Sequence, residues 1–317
     1  GAGRRNILIN GDFQVSQRGD FTTAADAGNA YYLDRWVVDR NGTCDLQHTT
    51  GHDIPGSPAI CKAGKLTQTV AGNNYLGFRQ KIEDPTRYVG RTITYSAWVR
   101  SNTSNARIEW YTQGTTQYAI GPNHSGGGDW EYLSFTTVMT GNPSTNWWVD
   151  VFIDNGAYSN VQINVGDFVE VTMAQLEIGP VATPFEHRSY GEELALCQRY
   201  FEVLEDLMST DSNGAASTET LLGLGYVYTT TRVMGHVTWK VTKRENPTCT
   251  VSPVTDIQCL SSAGAWISAT GVDVRANKNS ARLDITTGSA MPAAGQACEI
   301  RFNTASPVGY IYIDAEL

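Results

Sequence analysis

The sequence predicts an all-β fold in two parts, an N-terminal jelly-roll β-sandwich and a small C-terminal β-sandwich domain, joined by one short amphipathic helix. Three observations predict it. Run after run alternates apolar and polar residues with a period of two, as half-buried strands do. Glycines, 31 among 317 residues, and Asn-rich turns punctuate those runs. Only one stretch, Ser189 to Met208, carries a helical spacing.

Residues 1–188 read as the sandwich. Asn6 to Asp12 opens it as a strand and turn, and Tyr31 to Asp39 follows as a second strand after a loop rich in Gly and Ala. Three later strands declare their faces. In TITYSAWVR, Ile93, Tyr95, Ala97 and Val99 share one side while Thr94, Ser96, Trp98 and Arg100 share the other. In NARIEWYTQ, Ala106, Ile108 and Trp110 alternate with Arg107, Glu109, Tyr111 and Gln113. In NWWVDVFID, Trp147, Val149, Val151 and Ile153 alternate with Trp148, Asp150, Phe152 and Asp154. Side chains alternate across a strand, so the apolar sides are predicted to meet between two sheets.

The helix is predicted over 189–208. Ser189 and Glu192 have capping-box spacing, and Glu192 and Glu193 place negative charge in the first turn, where the helix dipole favours it. Tyr190, Leu194, Cys197, Phe201, Leu204 and Met208 step by four, three, four, three, four. That is one apolar seam with coiled-coil spacing. It either lies against its own sandwich or meets copies of itself about a threefold axis. Alone in water such a short helix is marginal. Ser209 to Ser217 is a polar link, and 218–317 holds short β runs enough for a second core. In VMGHVTWKV, Val233, Gly235, Val237, Trp239 and Val241 share a face that excludes His236.

The words of the junction carry a resemblance. AQLEIGPVATPFEHRSYGEELALCQRYFE, from Ala174 to Glu202, resembles the segment of bacteriophage and prophage tail-fibre-like proteins in which a jelly roll ends and a helix begins. NILINGDFQVSQRG from Asn6, YYLDRW from Tyr31 and the closing DAEL resemble the two ends of the same proteins. The resemblance implies a virion component of tail-fibre type, assembled in the host cytoplasm, with a jelly roll like a carbohydrate-binding module. It implies a homotrimer, other virion proteins as neighbours, and a host-surface polysaccharide as the object of adhesion. Two rival functions stay open: a tailspike depolymerase or esterase, and a capsid or tail decoration protein without a receptor.

Composition narrows the field. A net charge of −9 argues against nucleic acid, whose phosphates demand a basic stripe. No window reaches the roughly 18 apolar residues of a membrane span, so no membrane insertion is expected. The chain begins Gly-Ala-Gly, read as an added remnant or the cut edge of a longer protein. Cys44, Cys61, Cys197, Cys249, Cys259 and Cys298 lack CxxC spacing and read as buried thiols, with a Cys44–Cys61 or Cys249–Cys259 bridge as the rival.

Motifs of chemistry are missing from the sequence. It has no Gly-rich phosphate loop, HExxH or GxSxG. His48 and His52 read as solvated loop residues and His187 as a hydrogen-bonding spacer. Asp150 and Asp154, four apart on a strand, stand about 13 Å apart, beyond the roughly 5 to 10 Å of glycosidase pairs; Asp150 could instead pair with Glu109. No catalytic residue, cofactor or metal is assigned. Asp12, Asp34 and Asp167 could serve a calcium ion, but no spacing selects them. The mixed strand face is the better lead. Trp98, Tyr111 and Trp148, projecting with Arg100, Arg107, Glu109, Gln113, Asp150 and Asp154, suit a sugar, whose ring faces stack on aromatics while its hydroxyls want charged and amide partners. A covering subunit or plain solvation are the competing readings.

Overall fold

A computed structural model of the protein describes residues 5–19, 21–55, 61–112, 118–205, 209–210, 216–217, 221–261, 264–291, 293–303 and 309–316. The fold is all-β. The chain divides into two compact units, Gly1–Cys197 and Gln198–Glu316.

The first unit carries β1 (Ala25–Ala27), β2 (Ala30–Leu33), β3 (Trp36–Arg40), β4 (Cys44–Thr50), β5 (Lys62–Gln68), β6 (Gly72–Asn74), β7 (Leu76–Lys81), β8 (Thr92–Ser101), β9 (Ala106–Thr112), β10 (Tyr118–Asn123), β11 (Trp130–Val138), β12 (Trp147–Ile153), β13 (Val161–Ile163) and β14 (Phe168–Ile178). One six-stranded sheet runs β1-β4-β5-β14-β8-β11 and a second runs β10-β9-β12-β7-β3-β2. Their inner faces hold the core. Ile93, Tyr95, Ala97 and Val99 come from one sheet; Ala106, Ile108, Trp110, Trp147, Val149, Val151 and Ile153 come from the other. This is the set that alternation predicts.

Two N-terminal expectations change. Tyr31 to Asp39 is not one strand: Asp34 and Arg35 turn it into the β2–β3 hairpin, with Arg35 at φ 69°. Asn6 to Asp12 forms no regular strand. It is held by side-chain hydrogen bonds described below.

The helix is shorter than its seam predicts. The helix α1 spans Tyr190–Gln198. Its start is as expected: Ser189 N donates to the Glu192 carboxylate (3.0 Å) and Glu192 N to Ser189 Oγ (3.4 Å). Its end is not. Phe201 and Leu204 lie on β15 (Phe201–Glu205), paired antiparallel with residues 310–314. Pairing with a distant strand overrides the local helical spacing. Tyr190 is exposed and Cys197 buried, Leu194 is half-buried, and Met208 lies outside the described residues. No continuous helical seam therefore exists for a threefold bundle.

The second unit continues with β16 (Ser209–Thr210), β17 (Ala216–Ser217), β18 (Leu221–Thr229), β19 (Arg232–Thr238), β20 (Thr248–Ser252), β21 (Ile257–Leu260), β22 (Trp266–Ala276), β23 (Ser280–Thr287), β24 (Ala297–Phe302) and β25 (Tyr310–Asp314). Its strands do not stay an open sandwich. Because β18 pairs with both β19 and β24, β18-β19-β23-β22-β21-β24 closes into a barrel, beside a sheet β15-β25-β20. Closure removes exposed sheet edges. Val233, Leu283, Ile285 and Ile300 fill the core, and His236 faces outward as predicted. Lys243 is buried with Glu202 at 2.5 Å and also donates to the Gln198 and Val241 carbonyls.

Candidate functional site

The predicted mixed face divides between the two sheets. Arg107, Glu109 and Tyr111 on β9, with Trp148, Asp150 and Asp154 on or just after β12, stand on the outer side of the second sheet. Register sets Tyr111 opposite Trp148 and Glu109 opposite Asp150. Trp98 and Arg100 belong to β8, in the other sheet. Gln113 lies outside the described residues. Alternation shows which side a residue takes, not which sheet its strand joins.

On the second sheet the ionic groups are not free for a ligand. Arg107, Glu109, Asp150 and Asp154 are buried. Arg79 from β7 grips Asp150 through two bonds (3.2 and 2.8 Å) and Asp39 through a third (2.7 Å). Its guanidinium lies 4.8 Å from the Trp148 ring centre and 4.6 Å from that of Tyr158. Asp154 accepts from Gly156 N and Tyr158 N and sits 3.2 Å from Arg107. Rings and charges there satisfy one another, a stabilising arrangement for partly desolvated groups. Glu109 is the exception. No neighbouring donor reaches either carboxyl oxygen, and the carboxyl is hydrogen-bonded to that of Asp154. Burial, and then the charges of Asp154 and Asp150, push its pKa up to about 9, so at neutral pH it keeps its proton.

An open groove lies on the outer side of the first sheet. Ser96 and Trp98 point outward from β8, and Tyr132 stands directly opposite Trp98 on β11. The two rings are 5.5 Å apart, tilted by 54°. Beneath Trp98 sits a small apolar cluster of Ile54, Cys61 and Met173, joined by Trp130 and Phe185. Met173 arrives there through a bulge: between Thr172 and Gln175, β14 has one residue more than β8, and Met173 takes φ 49°. Bulges re-aim side chains in this way. The tether Ala182–His187 forms the opposite wall, and together these residues enclose a cavity of about 490 Å³. Arg100 is spoken for nearby. It lies 3.2 Å from Glu170. Burial works to raise the Glu170 pKa, but hydrogen bonds from His52 and Thr49 and the charge of Arg100 outweigh it and hold it below the ordinary range.

The stretches of the first unit that carry the resemblance are tied together beside this groove. Gln175 and Glu177 of AQLE clamp the tether. Thr183 N and Oγ1 donate to Glu177 (2.8 and 2.7 Å), and Glu186 N donates to Gln175 Oε1 (2.8 Å). Glu186 then accepts from Asn6 N (2.8 Å), and Arg188 donates to the Asn6 and Leu8 carbonyls (2.6 and 3.1 Å). Asn10 N donates to Glu193 of α1, and Asn10 Nδ2 to the Val15 and Asp34 carbonyls. Trp36 Nε1 closes the ring on Asn10 O. Gly11 packs against the Ala174 carbonyl, where any Cβ would collide.

Three further expectations are corrected or placed. His48 is not solvated; it sits on β4, buried, with Nε2 2.7 Å from the Phe13 carbonyl. His52 is half-buried, 3.2 Å from Glu170. His187 is exposed and edge-on to Phe185. None of the six cysteines is in a disulfide. Asp34 and Asp167 accept from nearby turn backbone. Among the described residues no group of carboxylate, His or Cys side chains is arranged to hold a metal, and no helix is long and apolar enough to cross a membrane.

No protein-family model and no curated protein matches the sequence. Solved structures show likenesses of low identity. The enzymatically active domain of tailspike protein 4 from bacteriophage CBA120 is 16% identical with a TM-score of 0.37, over 55% of this chain and 21% of that one. This chain thus matches about a fifth of the tailspike. TmCBM61, solved with β-1,4-galactotriose, is 13% identical with a TM-score of 0.32, over 56% of this chain and 100% of that one. The tripod from the baseplate of bacteriophage Tuc2009 is 14% identical with a TM-score of 0.29, over 56% and 74%.

Proposed function

We propose that this protein is a non-enzymatic virion component of tail-fibre type that adheres to a host-surface glycan through the Trp98 groove of its first unit. The observation that carries the reading is the Trp98–Tyr132 pair, an aromatic platform open to solvent, with the hydroxyls of Ser96 and Thr183 beside it. Either ring can take the apolar face of a pyranose while the other, tilted by 54°, flanks it, and neighbouring polar groups fix its orientation. The resemblance of the junction words supports the virion setting. Binding rather than hydrolysis is supported by the lining. Among the described residues around the groove and its neighbouring cavities the only carboxylate is Asp12, whereas most glycosidases need two.

A glycan array probed with the wild type, Trp98→Ala and Tyr132→Ala tests this. Each ring deletion is expected to weaken binding about tenfold, with Trp148→Ala as a control outside the groove. Binding that follows Trp148 and ignores Trp98 would move the site to the second sheet. Shortened chains after incubation with capsular polysaccharide would make the protein an enzyme instead. A trimer, expected from the resemblance, would have to form without a continuous helical seam; light scattering measures it.

A further inference from the structure

A second cavity lies on the other side of His187. That residue lines it, a space of about 330 Å³, with Asp12, Gln14, Lys62, Arg188 and Tyr190. Gln14, Lys62 and Tyr190 in turn line a third cavity of about 300 Å³ that reaches Thr22 and Thr50. Shared lining residues place the three side by side, an arrangement that suits neighbouring units of a sugar chain.

Asp12 is the unusual residue in the middle cavity. It is 5% exposed. One carboxyl oxygen accepts from the Gln14 side-chain amide. The other, Oδ1, has no hydrogen-bond partner. Burial raises its pKa, and the Gln14 side chain and nearby backbone amides offset that only in part. A buried carboxylate oxygen without a donor is costly, and a ligand hydroxyl supplies the missing donor. Lys62, in the same wall, spends its ammonium on the Gln14 carbonyl at 3.3 Å. Lys62 and Arg188 line the cavity too, so a metal cation is disfavoured there by charge.

Resting on the reading of the groove as a glycan site, we propose that this cavity is a second subsite that takes a neutral hexose unit of the oligosaccharide stacked on Trp98. Asp12 Oδ1 accepts from one ring hydroxyl, and Lys62 Nζ donates to its neighbour. A uronic acid would set its carboxylate against Asp12, and an amino sugar its ammonium against Lys62. Arg188 is already engaged by Glu186, Glu193 and the Asn6 and Leu8 carbonyls, which leaves Asp12 and Lys62 as one charge of each sign, a pairing that selects an uncharged diol.

The test is titration calorimetry of the full chain with neutral hexose trisaccharides, their uronic-acid and amino-sugar counterparts, and the matching monosaccharides. Asp12→Ala and Lys62→Met are each expected to weaken neutral trisaccharides about tenfold or more, leaving monosaccharide binding at Trp98 unchanged. Trp98→Ala is expected to weaken both. Melting temperatures confirm folding; Asp12→Ala also gives up the Gln14 hydrogen bond, so Asp12→Asn, which keeps an oxygen for Gln14 and removes the charge, is titrated beside it and is likewise expected to weaken neutral trisaccharides. If Asp12→Ala and Lys62→Met bind trisaccharides as the wild type does, or if charged saccharides are preferred, the second subsite is wrong while the Trp98 site stands. If Trp98→Ala also changes nothing, the glycan reading falls and this one with it.

Discussion

Glu109→Gln should make the sandwich more stable, by an amount that grows with pH. Glu109 is buried, no donor reaches its oxygens, its proton is shared with Asp154, and its folded pKa lies near 9 against an ordinary 4.5. Between those values the folded protein holds a proton that the unfolded chain has released. Folding there takes up a proton, so stability falls as pH rises. The contribution is fully present below pH 4.5 and is lost on the way to 9. Two and a half pH units at about 1.4 kcal/mol each come to about 3 kcal/mol by pH 7. Glutamine keeps the shape of the protonated acid and never ionises. The variant should therefore match the wild type near pH 4.5 and exceed it by about 3 kcal/mol at pH 7. Asp150, raised by burial to about 6 despite Arg79, adds a slope of the same sign to both proteins and largely cancels in the comparison. Hydrogen exchange of β9 and β12 peptides, wild type against variant at each pH, reads the difference without interference from the second unit. A gap that stays constant with pH refutes the reasoning. A variant weaker at every pH would mean that Glu109 is ionised in the fold, held by Arg107 at 3.9 Å.

Two other outcomes are expected. Lys243→Ala leaves Glu202 charged and buried without its ionic partner, which should cost the second unit about 3 to 5 kcal/mol; the Lys243→Met, Glu202→Gln double variant, which removes the charge and keeps the acceptor for Lys240 N, should recover most of it, as thermal melts will show. Glu177→Ala removes the acceptor of Thr183 N and Oγ1, so amide exchange over 181–187 should accelerate while the core strands stay protected. Unchanged exchange there would mean that the tether is held by other contacts.

What the sequence reveals is local. Period-two alternation names the core side of β8, β9 and β12 residue by residue, because which side a side chain takes depends only on its neighbours in the strand. The helix start is legible for the same reason: Ser189 and Glu192 form their cap within four residues. The helix end is not. Phe201 and Leu204 continue the helical spacing, yet β25, more than a hundred residues on, pairs with them, and no local pattern contains that partner. The site follows the same division. Trp98 is visible as an outward ring. The partners that make it a groove, Tyr132, Met173 and Phe185, come from another strand, a bulge and the tether. Asp150 looks like a surface charge in the sequence because the groups that cover it, the guanidinium of Arg79 and the rings of Trp148 and Tyr158 packed on that guanidinium, come from separate segments.

The junction words also divide by role. Asn6, Asn10, Gln175, Glu177, Glu186, Arg188 and Glu193 spend their polar atoms chiefly on backbone groups of the other words, so that N-terminus, closing strand, tether and helix form one hydrogen-bonded knot. Such residues set geometry and leave little to offer a ligand. The groove's stacking rings Trp98 and Tyr132, and Lys62 in the neighbouring cavity, lie outside the words. A second chain sharing the words should therefore share the groove's frame while differing in what the groove holds. Exchanging Trp98, Tyr132 and Lys62 between two such chains should carry glycan preference across with melting temperature little changed; exchanging Glu186 and Arg188 for residues that cannot hydrogen-bond should lower the melting temperature and move no preference.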